Sequence, residues 1–493
     1  MEKMDNKLNK AREYEKENAC RADNYRPDFH VTGGIGWIND PNGFSVYKGE
    51  YHLFHQYHPY DTEWGPMHWG HLKTRDFIKW DRLPVALAPD ASFDKDGCFS
   101  GNACETPDGK QLIIYTGVVK EFDEAGHMLS ETQHQCVAVG DGVDYEKYDG
   151  NPVISVDTLP EGASHSDFRD PKIWREGDSY YCLAANRGKD GFGALRMYKS
   201  KDALHWSFVK TFAECKGRYG TMWECPDFFS LEDMHVLVIS PMEMEAESPE
   251  FHSGHGVIAI CGDYNADTKD FADKWVQSVD YGIDFYAPQT LIAPDGRRIM
   301  IGWMRNWATR DMRRGKAPIF GAMTLPRELT VKNNRIYINP VREIENYRVN
   351  PVHIEKAYVK ESAAFEGICG RTLDMTVEVA EGDYSFFKIK LCKGAGHEAD
   401  LIYRPKEGTV TIDRTYASGR MDTVQQRNFP VDYHDGAAKF RVIMDKDSIE
   451  LFVNDGERVA TFITYNDLNE DSIEFEADRE VGITIDKYDI KLD

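Results

Sequence analysis

Short β-prone runs separated by turn clusters recur along residues 31–329, and two series of motifs within them repeat at an interval near sixty residues. In the first series TRDFIKW (74–80) returns as SKDALHW (200–206) and, one residue longer, as TKDFADKW (268–275). Their tryptophans, Trp80, Trp206 and Trp275, are 126 and 69 residues apart, so one unit of sixty to seventy residues fits both gaps, the first as two units. The second series is WINDPNG (37–43), FSGNA (99–103), FRDPK (168–172), WECPDFF (223–229) and DFYAPQT (284–290). Its positions 40, 100, 170, 224 and 286 advance by 60, 70, 54 and 62 residues. Five such units predict a five-bladed β-propeller. The innermost strand of every blade in that fold faces one central axis, so motifs far apart in sequence can share one pocket. The three tryptophans are expected to pack between strands.

Beyond Leu329 the pattern changes. Alternating runs such as YSFFKIKL (384–391), KFRVIMD (439–445) and SIELFVNDG (448–456) predict a β-sandwich, with Asn-Asp-Gly reversing one hairpin. The chain is thus expected to be all-β. Residues 1–25 form a polar tail or short helix with a Leu8/Ala11/Tyr14 spacing, 26–335 the propeller, 336–353 a linker and 354–493 the sandwich. Two domains suit 493 residues, more than one core ordinarily accommodates.

The formal net charge is −24, from 59 basic and 83 acidic residues, which disfavours nucleic acid and anionic membranes as partners. No stretch approaches the length of a membrane span, and the first twenty residues hold no apolar signal-like segment. The ten cysteines contain no CxxC pair and are expected to be reduced, mostly buried thiols of a cytoplasmic protein.

Three motifs carry the chemistry. Asp40 lies between Asn39 and Pro41 with Trp37 nearby, Asp170 follows Arg169 in a second Asp-Pro pair, and Glu224 stands between Trp223 and Cys225. Apolar company favours the neutral form of a carboxyl, as a general acid requires. Three acids from three blades around one axis make a glycosidase constellation. Other features carry less. His52, His55 and His58 alternate across a strand and make a poor metal site, so no metal is expected. The glycines of GKDGFG (188–193) lack the remainder of a phosphate-binding loop, and Cys225 lacks a His partner for nucleophilic work.

Taken together, WINDPNG, EWGPMHWGH (63–71), FSGNA, FRDPK, WECPDFF, GAMTLPREL (321–329) and SIELFVNDG resemble glycoside hydrolase family 32, the invertases, sucrose-6-phosphate hydrolases and fructan hydrolases. The resemblance covers nearly the whole chain after Tyr25. It implies a propeller followed by a sandwich, and a retaining enzyme that cleaves terminal β-D-fructofuranosyl residues without a cofactor. By that resemblance Asp40 is the nucleophile, Glu224 the acid/base and Asp170 the transition-state stabiliser. Asn39, Gln56, Trp64, Phe99, Ser100, Arg169, Tyr286 and Trp307 fall where the family lines its fructosyl pocket. The expected partner is a small fructoside: sucrose, its 6-phosphate or a short fructo-oligosaccharide. The sandwich could supply a homodimer contact. Three alternatives stand beside this reading: an inverting arabinan- or xylan-directed propeller glycosidase, a fructosyltransferase on the same scaffold, and a non-catalytic sugar-binding propeller.

Overall fold

The structure, a computed structural model, describes residues 6–310, 315–417, 419, 423–432 and 434–492. Five antiparallel sheets follow one another along the chain, each with its first strand innermost. The inner strands are Gly36–Tyr47, Gly97–Glu105, Phe168–Glu176, Met222–Leu231 and Tyr286–Ile292. They carry the five motifs of the second series in order. The ring closes through a two-residue strand, Ile319–Phe320, which leaves the fifth blade and pairs in parallel with Gly36 and Trp37 of the first. Trp37 and Phe320 stack there with ring centroids 4.5 Å apart.

The other repeat is more regular in space than in sequence. Between the third and fourth strands of the first blade, Asp76 Oδ1 accepts from the amides of Ile78 and Lys79. Asp202 does the same with Leu204 and His205 in the third blade. The indole nitrogens of Trp80 and Trp206 each donate to the carbonyl three residues back, that of Phe77 or Ala203. The second-blade copy is Asp141, which accepts from Val143 and Asp144, and the fourth-blade copy is Asn265, which accepts from Asp267 and Thr268. The positions 76, 141, 202 and 265 advance by 65, 61 and 63 residues. TKDFADKW is therefore out of register with the other two: Trp275 sits inside strand Asp270–Ser278, opposite Cys261, and not at its start. A side-chain acceptor that turns the backbone tolerates Asp or Asn and many neighbours, so the copies diverge while the turn persists.

Helix Lys7–Asn18, capped by Asn6, lies against the first blade. Ala11 is fully buried on it, and Glu15, also buried, accepts from the Tyr57 hydroxyl at 2.8 Å. Residues 336–353 hold the end of strand Arg335–Pro340, the 3-10 turn Arg342–Tyr347 and the start of strand Arg348–Ala363. The last strand, Ser472–Ile490, is 19 residues long and joins both layers of the sandwich. Its first part pairs with Phe387–Lys393 and its second with Thr372–Val379. The hairpin of SIELFVNDG reverses through Asn454 and Asp455, both at positive φ. None of the described helices is long and apolar enough to cross a membrane.

Buried ion pairs join propeller to sandwich. Arg327 of GAMTLPREL, with no exposed surface, bonds Glu450 of SIELFVNDG and Asp280, the latter at 2.8 Å. His30 bridges Asp445 (2.8 Å) and Glu450 (2.7 Å). The two motifs farthest from the acids thus meet as an inter-domain clasp.

Candidate active site

Every inner strand is irregular at its motif. The pairing register shifts between Ile38 and Pro41, Phe99 and Gly101, Glu224 and Asp227, and Tyr286 and Gln289, and in the third blade opposite Arg169 and Lys172. Four of these bulges contain proline (Pro41, Pro171, Pro226, Pro288), which has no amide to donate to a ladder. Asp170, Cys225 and Ala287, each before a proline, have φ of 59°, 49° and 52°. Such backbone is strained for side chains larger than glycine and is held only where the surroundings over-determine it. The bulges turn side chains that would otherwise alternate between blade faces toward the axis.

They converge on one cavity of about 270 Å³, lined by Asn39, Asp40, Gln56, Trp64, Phe99, Ser100, Arg169, Asp170, Glu224 and Trp307, all expected from the sequence. Glu131, Gln133, Ser166 and Asp167 also line it and were not expected. Asp167 adjoins FRDPK and could have been read from it. Gln133 lies in a third-position strand without a motif, and only the fold brings it to the rim. Tyr286 is the exception among the expected residues: it is buried behind Glu224 and does not line the cavity.

The carboxylates are held differently. Asp40 Oδ2 accepts from the Ser100 hydroxyl at 2.6 Å, and its Oδ1 from Asn39 at 3.1 Å. Asp170 Oδ2 accepts from the Cys225 amide at 3.0 Å. The Cys225 sulfur stands 3.7 Å from Asp40 Oδ2 and 3.6 Å from Asp170 Oδ2, between the two. Burial keeps that thiol protonated, with the charges of Asp170 and Asp40 adding to the effect, so it is a weak donor and no nucleophile. Glu224 Oε1 receives the Arg169 guanidinium at 3.1 Å (Nε) and 3.0 Å (Nη2). Arg169 also bonds Asp167 at 2.7 Å. The apolar company expected for Glu224 is therefore half the picture, since a guanidinium faces it too.

Burial pushes Asp40 above the usual carboxylate range; the Ser100 hydrogen bond opposes this and the charge of Glu224 adds to it. Burial also raises Asp170, against the pull of Arg169 and with the push of Glu224 and Asp40. Asp40 and Asp170 therefore hold a proton more readily than isolated carboxyls would. Tyr286 can serve Glu224 in either protonation state. Its hydroxyl lies 2.8 Å from Glu224 Oε2 and 2.9 Å from the Ser240 carbonyl oxygen, yet a phenol has one hydrogen. When it donates to Ser240, its lone pair faces Glu224 and accepts from the protonated acid; when Glu224 is ionised, the hydrogen can turn to it.

A carboxylate that can attack, a carboxyl that can exchange a proton, and a third that can grip hydroxyls suit double displacement at an acetal carbon. Trp64, Phe99 and Trp307 supply flat apolar walls, with Trp64 41% exposed at the mouth. Residues 30–340 match the model for the glycosyl hydrolases family 32 N-terminal domain, and residues 343–491 that for the family 32 C terminal. The chain is 35% identical over 471 residues to a sucrose-6-phosphate hydrolase of Escherichia coli, covering 94% of each, and 34% identical to a raffinose invertase of that organism, covering 90% of each. Among solved structures it resembles a family 32 β-fructofuranosidase of Bombyx mori, with TM-score 0.84, 31% identity and 99% of both chains covered.

Proposed function

Because the chain belongs to glycoside hydrolase family 32 and is thereby a hydrolase of fructosyl bonds, we propose that Asp40 is its nucleophile, Glu224 its acid/base and Asp170 its transition-state stabiliser. The observation that carries this assignment is the meeting of these three carboxyls from three blades in one cavity with a single arginine. Asp40 attacks C2 of the fructofuranosyl unit as Glu224 gives its proton to the departing glycosidic oxygen. A covalent fructosyl-enzyme and a free leaving sugar result. Glu224, now ionised, takes a proton from water, the hydroxide oxygen bonds to C2, and Asp40 departs as carboxylate. Inversion twice over is net retention. Positive charge develops near C2 in both steps, and Asp40 and Asp170 are the nearest anions to offset it. Arg169 fixes the orientation of the Glu224 carboxyl toward the cavity.

The relatives named as sucrose-6-phosphate hydrolase and raffinose invertase support a small fructoside as substrate, with sucrose as its simplest form. A cytoplasmic location is supported by ten cysteines that are all free thiols. The assignment is tested by incubating Asp40→Asn and Glu224→Gln proteins with sucrose and following the anomer of the first-released fructose by NMR in the parent enzyme. β-Fructofuranose released first, with Asp40→Asn inactive yet folded, sustains it. Release of α-fructofuranose, or substantial turnover by Asp40→Asn, rejects it. Comparing kcat/KM for sucrose, sucrose 6-phosphate and kestose ranks the substrates.

A further inference from the structure

A second cavity, of about 90 Å³, opens where the propeller meets the sandwich. Its walls come from the entry segment (Tyr25, Pro27), the stretch after the fifth blade's second strand (Arg305), the ring-closing strand (Phe320) and the sandwich turns (Lys446, Tyr465). Arg305 is 6% exposed, and its Nε and Nη1 have no hydrogen-bond partner. No carboxylate pairs with it among the described residues. Its guanidinium stands 5.3 Å from the Phe320 ring and 5.4 Å from the Tyr465 ring. Contact with two ring faces explains how the side chain is oriented, but it leaves Nε and Nη1 unsatisfied. Burying an uncompensated charge costs several kcal/mol by general experience, more than exposed or partly buried ring contacts return.

The neighbouring charges are already used. Asp445 accepts from His30 and from the amides of Asp28, Phe29 and His30. Lys446 pairs with Asp28 at 2.8 Å, and Asp447 lies 3.9 Å from Arg371. Among the described residues the remaining charge at the cavity is that of Arg305. A planar guanidinium matches an oxyanion by shape as well as charge, and the small volume suits a compact tetrahedral group better than a sugar ring.

We propose that this inter-domain cavity binds a phosphate group, free or at the end of a small metabolite, with Arg305 as the cation that receives it. The site is separate from the acidic pocket, and a single residue, Asn306, lies between Arg305 and Trp307 on that pocket's wall. A bound phosphate would tie the entry segment, the ring closure and the sandwich together and steady the segment that carries Trp307.

The test is thermal unfolding of the full chain in inorganic phosphate and, in a second arm, glycerol 3-phosphate, each against chloride at equal ionic strength. Binding at tens of Kd is expected to raise Tm by about 2 °C or more, and Arg305→Met to remove the rise. A rise with inorganic phosphate alone assigns the free ion; a rise with glycerol 3-phosphate alone assigns the monoester. No rise with either, or an equal rise in Arg305→Met, overturns the proposal. Should that variant fail to fold, crystals of the parent protein grown with selenate decide. An anomalous peak beside Arg305 sustains the site, and peaks only elsewhere, or none, reject it.

Discussion

In the proposed mechanism Asp40 and Glu224 have different tasks within one cavity, and their hydrogen bonds differ accordingly. The Ser100 hydroxyl, 2.6 Å from Asp40, favours the ionised form that attack requires, while burial opposes it. Because Asp40 sits above the ordinary carboxylate range, the acid limb of kcat/KM is expected at a higher pH than a free aspartate would give. Ser100→Ala removes a bond to the charged form, so the limb should move further toward neutral; a pH profile of both proteins checks the sign. Asp40→Asn is expected to lower kcat by about 10⁴-fold or more, as loss of a nucleophile does in comparable two-step enzymes. Glu224→Gln should cost far more with sucrose than with an aryl fructoside whose leaving group needs little protonation, measured as the ratio of the two kcat values.

At the scale of single elements, the turn that joins third to fourth strand is the repeated unit. One carboxylate closes each turn in three blades and an amide does so in the fourth. Asp76 additionally receives the Tyr347 hydroxyl, which ties the first blade to the turn preceding the sandwich. Asp76→Ala is expected to destabilise the protein by about 1–3 kcal/mol through unsatisfied amides and the lost tyrosine contact, with kcat nearly unchanged, as urea unfolding and a sucrose assay would show. The inner strands differ from the turns. Their bulges interrupt pairing, and the residues they turn inward include all three acids.

For the whole molecule the decisive contacts are the buried ions between domains. Burial alone would depress His30, but its bonds to Asp445 and Glu450 outweigh this and raise it to about 9. In the unfolded chain a histidine titrates near ~6.5. The folded state therefore binds this proton more tightly, and the stabilisation is fully present below ~6.5, declines as pH rises and is gone above about 9. His30→Gln is expected to flatten the stability–pH curve across that window, with a difference of up to about 3 kcal/mol at its acid end, read from denaturant unfolding at several pH values. Equal slopes in both proteins would show that the clasp does not titrate there.

Local sequence determined a good deal. Period and turn chemistry indicated five blades and a sandwich, because strand length and turn residues are set by neighbours along the chain. Asp-Pro steps marked Asp40 and Asp170, because proline leaves its signature where a ladder breaks, and apolar neighbours marked Glu224. Tertiary structure alone decided the rest. Gln133 and Glu131 reach the cavity through strand pairing that no local pattern encodes. Tyr286 stands behind Glu224, because a bulge and a preceding blade's carbonyl fix its hydroxyl. The true copies of the turn, at Asp141 and Asn265, could not be told from other polar loops until their hydrogen bonds were formed. The Arg327–Glu450 clasp joins residues 123 apart, and Arg305 is left unpaired by what surrounds it in space. Hydrogen bonding and charge act between atoms that touch, and the chain order of those atoms places few limits on which of them do.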